Sequence, residues 1–169
     1  PCREQIKNRK IMVLIGEEVN GIEQARQAAF SPHLDAINQR LHKLGLRTYS
    51  PEEIRKQIAQ AEIDAYFKNN PDAALSAARR LAANYTLKGL ISARAMRNPM
   101  IPVNQVAVSM HFVLTGSDGK PVAQAEAQSQ SYSGADVQGM ALTLINEQAE
   151  EVVAKLYSEY CQQPGVRRK

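Results

Sequence analysis

At 169 residues, with 44% hydrophobic and 22% charged side chains, the chain has the size and composition of one globular domain that buries about two-thirds of its unfolded surface. No apolar run approaches the roughly 20 residues that cross a bilayer as a helix, and the composition is not that of a disordered chain. The net charge of +4 sits at the ends: residues 1–10 and 161–169 each carry +3, leaving −2 over 11–160, which argues against nucleic acid as the partner of the folded body.

In chain order, Lys10 to Val19 is a continuous apolar run, read as a strand buried on both faces and central in its sheet. Residues 20–30 read as a loop with one helical turn. Ser31-Pro32 then gives an N-cap and a first-turn proline, and Leu34, Ile37, Leu41 and Leu44 repeat at helical spacing up to Gly45. Leu46 to Tyr49 is a short strand, and Ser50-Pro51-Glu52-Glu53 is a capping box opening a helix with Ile54, Ile58, Ala61 and Ala65 inward. Asn70-Pro71-Asp72 starts a further helix to about Asn84, followed by a strand over 85–95 and a loop at Asn98-Pro99 to Pro102.

The stretch 104–132 carries the strongest local signal. Two alternating runs flank Ser117-Asp118-Gly119-Lys120, and Asp-Gly in a two-residue turn predicts a hairpin. With Asp118 and Gly119 as the turn, Leu114, Phe112 and Met110 face Ala123, Ala125 and Ala127 on one side. Val113, His111 and Ser109 face Gln124, Glu126 and Gln128 on the other, polar side. A last, long helix from Ser133-Gly134-Ala135 keeps Val137, Met140, Ala141, Leu144, Ile145, Ala149, Val152, Val153 and Leu156 on one stripe. The expected fold is α+β: a mixed sheet with an antiparallel hairpin, helices packed mainly on one face, and a long C-terminal helix. We expect a basic arm at 1–9, one domain over 10–162 and a basic tail at 163–169.

None of His33, His42 and His111 stands at metal-ligand spacing, Gly16 is followed by Glu17 and Glu18 instead of a phosphate-loop glycine pattern, and no nucleophile elbow occurs. No catalytic residue, cofactor or metal is therefore assigned. Glu17, Glu18 and His111 remain the positions around which an enzyme or small-ligand site would have to form, although adjacent strand residues point to opposite faces. An RNA-binding sheet is the other alternative, weakened because the open face offers only Tyr132 for stacking. Cys2 and Cys161 flank the body; they either bridge, in an oxidising compartment, or remain free thiols in cytosol. From the start at Pro1-Cys2 we expect that something upstream has been removed, by processing or otherwise, with Pro1 unsuited to acylation of Cys2. The interface candidates are Arg94, Met96, Arg97, Met100 and Ile101, an apolar loop with arginines, and the outer hairpin residues Gln124, Glu126 and Gln128.

The strand Lys10 to Ile15, the helix end Leu44-Gly45-Leu46, the capped helix from Ser50, the segment Ala83-Asn84-Tyr85-Thr86-Leu87-Lys88-Gly89-Leu90-Ile91 and the turn Thr115-Gly116-Ser117-Asp118-Gly119-Lys120 together resemble a periplasmic family. That family includes the amino-terminal domain of TolB, the penicillin-binding-protein activator lipoproteins, the curli secretion lipoprotein and the middle domain of flagellar assembly protein T. Lys88 departs from the small or polar residue more usual there. The resemblance implies a non-enzymatic protein-interaction domain of the bacterial envelope, periplasmic or outer-membrane associated, that serves a flagellum, secretion system or cell-wall synthase. Its implied partner is another envelope protein; a second copy of the chain is the further candidate, and the basic termini suit weak membrane or anionic-polymer contact.

Overall fold

The computed structural model describes residues 2–19, 22–25, 27–68, 76, 79, 81–97, 100, 104–132 and 137–162. Helix α1 (Cys2–Ile6) leads to β1 (Lys10–Val19), β2 (Ile22–Gln24), a 3-10 turn (Gln27–Phe30), α2 (Ser31–Lys43) and β3 (Arg47–Thr48). There follow α3 (Pro51–Gln57), α4 (Gln60–Phe67), β4 (Tyr85–Arg97), β5 (Asn104–Gly116), β6 (Pro121–Tyr132) and the 25-residue α5 (Val137–Cys161). The strands form one mixed sheet in the order β2-β1-β4-β5-β6, with β3 beside the start of β1. β1 runs parallel to β4 and β3, and the other pairs are antiparallel. The fold is thus α+β, as the element order implies. The helix expected from Asn70 lies mostly outside the described residues.

Strand β1 is interior and apolar because it is covered twice. Ile11, Val13 and Ile15 join the larger core under α2 and α5, while Met12 and Leu14 face a second cluster with Ile54, Ile58, Ile63 and Phe67 from α3 and α4. The sheet's second face is therefore covered on its β1 side and left open over the hairpin. Gly16 belongs to this packing: a Cβ there would lie 2.5 Å from the Phe67 ring. Gly89 plays the same part on the first face, where a Cβ would meet Ile15 at 2.9 Å and the Phe112 ring at 3.0 Å.

Three local expectations are corrected. The N-cap of α2 is Phe30, with Ser31 already helical, because the fully buried Phe30 ring anchors the preceding turn in the core. The capping box at Ser50 forms with both of its hydrogen bonds, but the helix it opens breaks at Ile58, whose extended backbone (φ −127°, ψ 124°) buries its side chain. The restart brings Ile63 and Phe67 inward and leaves Ala61 exposed, since two large apolar side chains bury far more area than two alanines. The hairpin loop is longer than the Asp-Gly pair: Gly119 N–H donates to Gly116 O, Gly116 N–H donates to Lys120 O, and only Gly119 has positive φ (84°). That is a type I turn closed by a left-handed glycine. The three-residue loop shifts pairing to Thr115 with Pro121, and an extra residue at Val122 shifts it back, so Leu114 still faces Ala123 and His111 still faces Glu126.

Candidate functional site

Strand alternation places four rows of side chains on the open face. Lys88, Val113 and Gln124 form one; Leu90, His111 and Glu126 the next; then Glu18, Ser92, Ser109 and Gln128; and last Arg94, Ala107 and Gln130. Ser92, Ala107 and Ser109 in the middle strands, with the longer Glu18, Arg94, Gln128 and Gln130 around them, make a depression of about 610 Å³. It carries one carboxylate, one guanidinium, two hydroxyls and two amides, a surface suited to hydrogen-bonding polar groups of a ligand or partner.

The face is bounded on one side by α4. The Lys88 ammonium lies 5.0 Å from the Tyr66 ring centre and 5.1 Å from that of Phe67, which gives a reason for a cation at this position. Burial pushes the Tyr66 phenol up to about 12, against the opposing effect of its hydrogen bond with Thr115. On the other side β6 is the sheet edge, and α5 covers part of it: Gln124 N–H donates to Glu159 Oε2 at 2.6 Å, and Gln148 Nε2 donates to Gln128 O at 3.5 Å.

The structure brings Gln124, Glu126 and Gln128 together with Arg94 on this face. Met100 is 89% exposed at the β4–β5 connection; the side chains of Met96 and Arg97, and Ile101 altogether, lie outside the described residues, as does the Tyr132 side chain. His111 Nδ1 is 3.1 Å from Glu126 Oε1, with both side chains well exposed, so the pair is screened by water. Glu17 and Glu18 pair with Ile91 and Ser92 and so point to opposite faces. Glu18 and His111 share the open face while Glu17 is turned toward the α2–α5 side, and the three do not converge on one reacting group. Ser92 and Ser109 complete the depression. Ser109 is legible from alternation with His111, whereas Ser92 enters only through the pairing of β4 with both β1 and β5. At the end of α5, Cys161 is joined to Cys2 as a disulfide across 159 residues, with Cα atoms 5.6 Å apart.

No family model matches the chain, and no curated protein matches it in sequence. Among solved structures, the hypothetical protein CT253 from Chlamydia trachomatis aligns with a TM-score of 0.51 at 15% identity, over 91% of this chain and 98% of that one. The LpoB C-terminal domain from Salmonella enterica aligns at 0.48 and 16%, over 74% and 84%. Lipoprotein GNA1162 from Neisseria meningitidis aligns at 0.47 and 14%, over 85% and 99%. At these identities the likeness is one of fold, and the chain shares its fold with CT253 along nearly the whole length of both.

Proposed function

We propose that this chain is a non-enzymatic protein-interaction domain of the bacterial envelope, periplasmic and outer-membrane associated, that supports the assembly or activity of an envelope machine. The observation that carries the reading is the division of the sheet's second face: α3 and α4 cover its β1 side, and the polar rows over β4, β5 and β6 are left to an outside partner. The bridged cysteines support an oxidising compartment, because a cytosolic pair would stay reduced. The resemblance of residues 83–91 and the hairpin turn to the TolB-like family supplies the envelope and the machine. The partner is a folded envelope protein that presents hydrogen-bonding side chains to Glu18, Ser92, Arg94, Ser109 and Gln128.

Photo-cross-linkers placed at Ser109 and Gln128, with Arg55 on α3 as the reference position, test this in cells. The expected result is one envelope protein captured from the two face positions and not from Arg55, whose complex with the purified chain is lost in Ser109→Trp. Equal capture at Arg55, reduced thiols in the cell, or a complex indifferent to Ser109→Trp would overturn the reading.

A further inference from the structure

The fold gathers basic residues from the end of α1, the end of α2 and the start of β3 into one corner. Ile6 of α1, Leu41 and Leu44 at the end of α2, Leu46 before β3, and Tyr157 and Tyr160 of α5 converge on a single small apolar cavity. The residues between these anchors turn outward, and they include four cations: Lys7, Arg9, Lys43 and Arg47 are all exposed. Backbone bonds fix them as neighbours, with Asn8 N–H donating to Gly45 O and Arg47 N–H donating to Arg9 O, each at 2.8 Å. The Lys7 stem lies over Gly45, where a Cβ would be 3.3 Å from its Cγ. Lys7, Lys43 and Arg47 form no ion pair among the described residues, and the acid nearest in sequence is Glu4, one turn before Lys7. The disulfide to Cys2 brings the end of α5 to the same corner, and Arg167, Arg168 and Lys169 follow it in sequence.

We propose that this corner docks the chain onto an anionic bilayer surface through headgroup phosphates. The cations project from the residues after α1, the end of α2 and the start of β3, and the tyrosines beneath them are held inward, Tyr85 and Tyr160 by a mutual hydroxyl hydrogen bond of 2.7 Å. A nucleic acid needs aligned phosphates or exposed rings for stacking, whereas a fluid lipid surface rearranges its headgroups around flexible cationic stems. Each such cation adds about a five-fold gain in binding to an anionic leaflet, and salt removes it. The inference does not rest on the protein-docking reading. The two surfaces lie at opposite ends of β1, Lys10 and Glu18 being roughly 26 Å apart along the strand, so a chain held at the corner presents the depression away from the bilayer.

The test is co-sedimentation of the full chain with vesicles of phosphatidylcholine alone or with about 30% phosphatidylglycerol, at roughly 0.05 and 0.5 M salt. The expected result is partition onto the anionic vesicles only, loss at high salt, and about a 100-fold weakening in Lys7→Gln/Lys43→Gln/Arg47→Gln. Arg55→Gln/Lys56→Gln, on exposed positions of α3, should leave partition unchanged, and thermal melts check that both variants fold. Undiminished partition of the triple variant, equal binding to neutral vesicles, or retention on a DNA oligonucleotide without vesicle binding would overturn the proposal. So would complete loss on neutralising Arg167, Arg168 and Lys169 alone, which would move the contact to the tail.

Discussion

Gln27 shows how one side chain completes a sheet. β3 pairs with β1 at Lys10 and Ile11 and β2 pairs with it from Glu17 onward, which leaves the edge between them open. The Gln27 amide fills the gap: its oxygen accepts from Ile15 N–H at 3.0 Å, and its nitrogen donates to Ile15 O at 2.8 Å and Ala25 O at 2.6 Å. Gln27 is only 1% exposed, so Gln27→Leu would strand a buried N–H and C=O and should cost about 3 kcal/mol, read as a fall in melting temperature of about 6 to 12 °C. Tyr66 sets a pH limit at the same scale. Its folded value of about 12 lies above the unfolded value of 10.0, so its contribution is complete below pH 10 and is lost as pH rises from there through 12, because the unfolded state ionises first. Tyr85 is also pushed up, chiefly by burial and then by its hydrogen bond with Tyr160. Tyr66→Phe should therefore lessen, without abolishing, the alkaline loss of stability in melts taken between about pH 9 and 11.5.

The hairpin and its guard belong to the scale of elements. The facing of β5 and β6 was legible because alternation has a period of two, and a slip of one residue would have turned Phe112 and Met110 outward. The loop length was not legible, since a two-residue turn and a three-residue turn followed by a bulge give the same facing of His111 and Glu126. The break of the helix at Ile58 escaped for a related reason: Ile58 suits either a helical stripe or an extended buried turn, and only the presence of Leu14 and Gly16 across from α4 selects the second. Edge strand β6 would offer its backbone groups to another chain were Gln148 and Glu159 not bonded to it. Gln148→Ala/Glu159→Ala should change the melting temperature little but raise concentration-dependent aggregation, followed by light scattering; unchanged scattering would remove the guarding role.

At the scale of the whole molecule, the disulfide closes a loop of 159 residues and ties α1 to the end of α5, where Ile6 and Tyr160 are buried together. Cys2→Ser/Cys161→Ser should cost about 5 kcal/mol by loop closure, a drop of roughly 10 to 20 °C in melting temperature, and reductant should lower the wild type to the same value. The apolar run of β1, the capping box at Ser50, the facing of the hairpin and the apolar stripe of α5 are legible in the amino-acid order, because each is set by neighbours within a few residues. Strand pairing and core packing, in contrast, put Glu18, Ser92, Ser109 and Gln128 in one row, rest Lys88 against Tyr66 and Phe67, and bring Lys7, Lys43 and Arg47 to one corner. Those residues come from segments tens of positions apart, and they meet through β-pairing across a parallel crossover and through core packing, neither of which leaves a periodic mark on the chain.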